Sequence, residues 1–172
     1  MCRLCKNTGK YRGISGGVNY CACSQGQAAK IRDRLSPSAR ASLTQVEQIS
    51  WAVRKRAEEY AQRYKYSATL QHMCGLVSVA LFVALRRAGI PAQIAEGFAY
   101  STDHVWVLHR GLIVDLTYTQ FNRKGDPVLI RKERETSSYV RLYLHRKPKP
   151  LATSMSGPKW QKHVELVAGV PM

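Results

Sequence analysis

The sequence predicts an α+β fold, in which a central buried helix packs on an antiparallel sheet behind a small cysteine-bearing module. Three observations predict it. The run from Leu76 through Val77, Val79, Ala80, Leu81, Phe82, Val83 and Ala84 to Leu85 is apolar around nearly a full helical circumference, and a helix of that kind is a buried one. After it, residues 92–100, 104–109 and 112–119 are rich in Val, Ile, Tyr, Trp and Thr and are broken by the turn Arg110-Gly111, as strands pairing antiparallel would be. Four of the five cysteines fall within the first 23 residues, in two close pairs around a glycine-rich loop.

A chain of 172 residues holds one principal domain with a real core and a small appendage. The expected division is a cysteine module at 1–30, the main domain at 31–147 and a Pro/Ser/Gly-rich tail at 148–172. Lys and Arg number 27 against 11 Asp and Glu, a net charge of +16, which favours polyanionic or acidic partners and is silent on fold. The charges are spread rather than blocked, so a merely solvated surface explains them equally well. No stretch approaches the ~18 apolar residues of a membrane helix, and the polar first thirty residues do not read as a signal peptide. The expected protein is soluble and cytoplasmic, with no membrane partner.

At the N-terminus, Cys2-Arg3-Leu4-Cys5 and Cys21-Ala22-Cys23 flank a loop bearing Gly9, Gly13, Gly16 and Gly17. Paired thiolates on two tight turns suit a tetrahedral zinc at about 2.3 Å from each sulfur, and glycines supply the backbone freedom such turns need. The first pair, with Lys6-Asn7-Thr8-Gly9, resembles one zinc knuckle of the cysteine-rich domain of DnaJ-type chaperones, although the second pair is Cys-x-Cys rather than Cys-x-x-Cys. Two disulfides are the competing reading, which a reducing cytosol disfavours. Zinc held by Cys2, Cys5, Cys21 and Cys23 would have no open position, so it would be structural.

Ser36-Pro37 then marks a helix start, an N-cap acceptor followed by a residue suited to the first turn. Leu43, Val46, Ile49, Val53, Ala57, Tyr60, Ala61 and Tyr64 recur in steps of three and four and form one apolar face. Arg40, Glu47, Arg54, Lys55, Glu58, Glu59, Gln62 and Arg63 make up the remainder and read as a solvated face. Its interleaved glutamates would repel phosphate, which argues against a groove-reading helix. The central helix opens at Cys74 and closes with Arg86 and Arg87 opposing the dipole, then Gly89 and Pro91. Beyond the three strands, 128–130 and 139–144 read as two more, and 158–167 as a short helix whose place the sequence leaves open.

Two strands carry the chemistry. With Arg110-Gly111 as a two-residue turn, paired positions keep a constant sum, so His109 faces Leu112, Trp106 faces Asp115 and His104 faces Thr117. Alternation then sets His104, Trp106, Asp115 and Thr117 on one face and His109 on the other. His104 and Asp115 become diagonal neighbours about 7 to 8 Å apart, which an imidazole and a carboxylate bridge. A single Asp inside Leu112-Ile113-Val114-Asp115-Leu116 needs such a partner to offset its desolvation. Cys74, at the first turn of its helix, meets the positive end of the dipole and unpaired amides, which favour the thiolate and offer an oxyanion donor. A histidine can share its proton and an aspartate can hold the histidine's tautomer. Gln71 is the candidate second oxyanion donor. Each residue alone has an ordinary structural reading, as a small hydrophobe, a satisfied core histidine or a loop cap; the ordered combination favours catalysis.

His72-Met73-Cys74-Gly75-Leu76-Val77-Ser78, then Ala88-Gly89-Ile90-Pro91, Gly97, His104-Val105-Trp106, Gly111 and Val114-Asp115-Leu116-Thr117 resemble the transglutaminase-like cysteine enzymes over residues 66–121. The resemblance implies a papain-like core, Cys74 as nucleophile, His104 as general base and acid, Asp115 as orienting group, and a thioester intermediate. That superfamily spans transglutaminases, cysteine peptidases, amidases, deamidases and arylamine acetyltransferases, so it narrows mechanism more than substrate. The cysteine module lies outside its usual core. Hydrolysis of an amide or isopeptide bond is the expected reaction, because no amine site is legible, and the net charge points to an acidic protein, peptide or nucleoprotein substrate. The rival expectation is a basic, zinc-containing nucleic-acid-binding protein on an inactive version of the fold. A zinc hydrolase is disfavoured by the lack of His-Glu-x-x-His and of His-x-Glu with Pro-Cys-x-x-Cys.

Overall fold

The computed structural model describes residues 10–12, 18–21, 24–66, 70–145 and 158–172. Contacts divide the chain into two units, Met1–Gln45 and Val46–Met172. In the first, strands β1 (Lys10–Arg12) and β2 (Val18–Tyr20) pair antiparallel with Lys10 opposite Tyr20, and helix α1 (Ser24–Asp33) follows. Asp33 joins them, taking the Lys10 ammonium at 2.6 Å and the Tyr20 hydroxyl at 2.6 Å. Of the four expected zinc ligands, Cys21 is described and is buried, whereas Cys2, Cys5 and Cys23 lie outside the described residues.

Helix α2 (Pro37–Arg63) begins where the Ser-Pro signal predicts, with the Ser36 hydroxyl accepting the Ala39 amide at 3.4 Å. Within the larger unit its apolar stripe of Val46, Val53, Ala57 and Ala61 is fully buried. The polar face departs from expectation at Arg54, which is only 3% exposed. Its guanidinium bonds Glu58 at 2.7 Å, the Thr119 hydroxyl at 3.1 Å and the Leu116 carbonyl. Partners 62 and 65 residues away offset the desolvation that a buried charge otherwise costs.

Helix α3 (Cys74–Arg87) is buried from Gly75 to Leu85, as its all-round apolar surface requires. It stops where the Ala88 amide bonds the Ala84 carbonyl and the Ile90 amide bonds the Leu85 carbonyl around Gly89, whose φ of +73° suits glycine. The segment expected as a tail contains helix α4 (Pro158–Ala168), which packs against α3 with Val164, Val167 and Ala168 buried. Arg87 fastens the last residues through the Pro171 carbonyl at 3.1 Å and the Met172 carbonyl at 2.8 Å.

Five strands make an antiparallel sheet in the order β6-β5-β4-β3-β7: β3 (Gln93–Ala99), β4 (Thr102–His109), β5 (Leu112–Asp115), β6 (Leu129–Lys132) and β7 (Tyr139–His145). The α+β class is thus observed. Arg110 and Gly111 both have positive φ, 49° and 73°, the signature of the two-residue turn that matches strand twist. It sets His109 opposite Leu112 and Val107 opposite Val114, the predicted register. β5 ends at Asp115 rather than running to 119, because its carboxylate captures the Thr117 amide at 2.7 Å and a short 3-10 turn, Tyr118–Gln120, follows. Side chains that bond nearby amides compete with a ladder in this way. On the face carrying His104, Trp106 packs with Ala95, Leu108, Ile113, Leu129 and Tyr139. No helix among the described residues is long and apolar enough to cross a membrane.

Candidate active site

The site is assembled where the first turn of α3 meets the first half of β4. The approach to Cys74 is a tight turn in which Leu70 and His72 adopt φ of +57° and +64°. Such left-handed conformations are costly for residues other than glycine and gather at functional sites. Leu70 and Met73 are buried and anchor this turn, and the Met73 amide bonds the Leu70 carbonyl at 3.1 Å. Met73 caps the helix without a side-chain hydrogen bond, so the first amides of α3 have no intrahelical acceptor. Cys74 itself is partly exposed at this point, in a cleft of about 360 Å³ that Gly75 and His104 also line.

His104 and Asp115 meet as the hairpin register predicts, with imidazole Nε2 at 2.8 Å from Asp115 Oδ2 and both side chains fully buried. Each carboxylate oxygen has two donors. The Tyr139 hydroxyl joins His104 on Oδ2 at 2.6 Å, and the Thr117 amide and hydroxyl donate to Oδ1 at 2.7 and 2.9 Å. With Nε2–H committed to Asp115, neutral His104 presents its lone pair on Nδ1. That nitrogen lies 3.0 Å from the Gln120 side-chain amide, and Cys74 lines the same cleft as the imidazole. Trp106 stacked at 6.0 Å and Phe121 edge-on at 4.9 Å hold the ring between them.

Opposing effects set the electrostatics. Burial pulls the His104 pKa down, but the Asp115 charge and hydrogen bond, joined by the hydrogen bond and charge of Cys74, outweigh it and push the value up to about 9. Burial likewise pushes Asp115 up, yet the His104 charge and the donors from His104, Tyr139 and Thr117 hold it below the usual carboxylate range. Burial and the Asp115 charge raise Tyr139, so its hydroxyl stays protonated and donating. The pair therefore favours imidazolium and carboxylate around neutral pH.

The three residues the sequence singled out are thus brought together. Gln71 is exposed in the turn before the helix and does not line the cleft, and the glutamine amide at the imidazole belongs to Gln120. Sequence reasoning also missed Tyr139, Thr117 as a donor, and Arg54, whose guanidinium holds the turn right after Asp115. Thr117 alone carried a local signal, since a Thr two residues after a buried Asp can bond back to it. No family model, curated protein or solved structure matches this chain, so the chemistry of the site rests on its geometry.

Proposed function

We propose that the chain is a cysteine-dependent acyl-transfer enzyme with a transglutaminase-like, papain-like core, cleaving an amide or isopeptide bond in a protein or peptide. The observation that carries this reading is the buried His104–Asp115 pair lining one cleft with Cys74, which stands at an uncapped helix start. Cys74 Sγ attacks the carbonyl carbon as its proton resides on His104 Nδ1. The oxyanion forms beside the first amides of α3. His104 returns the proton to the leaving amine as the C–N bond breaks, giving a thioester. Water then attacks, His104 takes its proton, and the acid leaves as Sγ is restored. Asp115 remains ionised throughout and stabilises the imidazolium.

The net charge of +16 supports the rival, a nucleic-acid-binding protein. A binder, however, has no use for a thiol coupled to a buried histidine–carboxylate pair. For the N-terminal cysteines the reading is a structural zinc on Cys2, Cys5, Cys21 and Cys23, which their spacing supports and one equivalent of zinc per chain by elemental analysis would test. The protein is read as cytoplasmic, a compartment in which such thiols stay reduced.

Iodoacetamide labelling of Cys74 against pH, read by mass spectrometry in wild type and His104→Ala, tests the enzyme reading. The expected result is fast labelling at pH 6 that collapses in the variant. Labelling at pH 6 equally slow in both proteins would reject the couple and favour the binder.

A further inference from the structure

We propose that the open edge of β7 is the docking strand for the substrate, and that the substrate is an extended, basic polypeptide segment that pairs with this edge and delivers an amide to Cys74. The proposal rests on the reading of Cys74 as a nucleophile given above and adds how the substrate is held.

β7 ends the sheet, and among the described residues no strand pairs with its outer side. Natural sheets blunt such edges, because a free row of amides and carbonyls templates another strand. Here the edge is left apolar apart from Arg141, which pairs with Glu133 at 3.2 Å. Residues 140–144 are all exposed, with Val140 at 52%, Leu142 at 54%, Tyr143 at 61% and Leu144 at 42%. The opposite edge differs: on β6, Leu129 and Ile130 are buried. Unpaired backbone flanked by exposed apolar side chains is the surface that strand addition uses, with main-chain bonds supplying affinity and side-chain contacts supplying selectivity.

Position ties this edge to the chemistry. Leu142 and Tyr143 line the same cleft as Cys74 and His104. The β3–β7 register slips between Glu96 and Gly97, leaving Leu142 as the extra residue, while Gly97 pairs with His104 on its other side. Bulges of this kind re-aim an edge beside active sites. Any Cβ at position 97 would run into the Val140 carbonyl, so glycine permits the close approach. The Val140 carbonyl and Leu142 amide both lie against Gly97, which leaves the amide and carbonyl of Arg141 facing the open side.

Charge selects the occupant. Although the chain carries 27 Lys and Arg, the described residues lining this cleft include no Lys or Arg, and the acidic ones among them are Glu96 and Asp103. Glu96 is held by His145 at 3.0 Å; Asp103 is exposed at the start of β4. A strand on β7 with a Lys or Arg reaching this corner meets complementary charge.

Three matched probes test this on the full chain: chloroacetamide, a chloroacetyl hexapeptide amide of alternating Val and Lys, and the same peptide with alternate amide nitrogens methylated. We expect the basic peptide to label Cys74 at least 10-fold faster than chloroacetamide, and methylation to remove most of that gain. Arg141→Pro, which deletes an outward amide, should lower the peptide-to-chloroacetamide ratio toward one, and Asp103→Asn should lower it about threefold. Equal rates for methylated and unmethylated peptides would overturn strand pairing, as would a dimer in sedimentation velocity that Arg141→Pro dissolves, because the edge would then belong to a second copy. Faster labelling by the matching Val/Glu peptide would overturn the basic substrate. Failure of the Cys–His reading looks different: chloroacetamide itself would react slowly, with or without His104.

Discussion

Strand β4 carries two histidines five positions apart, His104 and His109, each 2% exposed, and they have opposite electrostatic fates. His104 meets a carboxylate and a thiol and is pushed up to about 9. His109 bonds the Pro91 carbonyl at 2.6 Å; burial lowers its pKa, the Pro91 carbonyl raises it only in part, and nearby Arg110 lowers it further. Equal burial therefore does not decide protonation. A carboxylate's charge and hydrogen bond, together with the contributions of the thiol, outweigh desolvation, and a carbonyl dipole does not. One end of the strand holds a protonated imidazole at neutral pH, and the other keeps a neutral imidazole inside the fold.

The largest expected break in this contrast comes from His104→Ala, which should slow Cys74 alkylation at pH 6 by about 10²-fold or more, whereas His109→Gln should change it less than threefold. Competition labelling of the two variants with isotopically distinct iodoacetamides measures both directly. Next is Asp115→Ala. It strips the carboxylate from His104, Tyr139 and Thr117 and should cost about 3 to 5 kcal/mol, the range for breaking a buried pair, read from urea unfolding.

Stability should also respond to pH in a defined direction. His104 is raised from 6.5 to about 9, so its contribution is complete below about pH 6.5 and is lost as pH rises through 9. Asp115 is lowered, so its contribution is present above the ordinary carboxylate range and is lost as pH falls below it. The pair is thus worth most between roughly pH 4 and 6.5, and wild type should lose about 3 kcal/mol relative to His104→Gln between pH 6 and pH 10. Paired urea titrations at the two pH values check this.

A smaller effect should follow from Arg54→Met, which frees the turn after Asp115. We expect a loss of about 1 to 3 kcal/mol and a several-fold slower alkylation of Cys74, because the Thr117 donors lose their support. A change in stability with no change in alkylation would confine Arg54 to the fold.

The contrast between the two histidines was largely legible in the sequence, because it depends on one local device. The Arg110-Gly111 turn fixes the register, and register assigns His104 and His109 to opposite faces and brings Asp115 to the first. The central helix was legible for a similar reason, since burial on all sides leaves its mark on every residue from Leu76 to Leu85. What escaped was long-range. Tyr139 lies 24 residues beyond Asp115 and Arg54 lies 62 residues before Leu116; nothing local distinguishes either from a surface Tyr or Arg. Helix α4 was readable as a helix, but its docking on α3 depends on tertiary packing. β5 was read too long because alternation in Leu112-Ile113-Val114 continues through residues whose backbone Asp115 diverts.

The most direct measurement is an NMR titration of the imidazole Cε1–H of His104, with His109 as the internal reference, in wild type and Cys74→Ala. A thiol, imidazole and carboxylate acting together require His104 to titrate near 9 in wild type, to fall when the thiol is removed, and to stay above His109 in both proteins. Titration of His104 at or below 6.5, or a value that does not respond to the loss of Cys74, would contradict the coupling and leave Cys74 an ordinary cysteine.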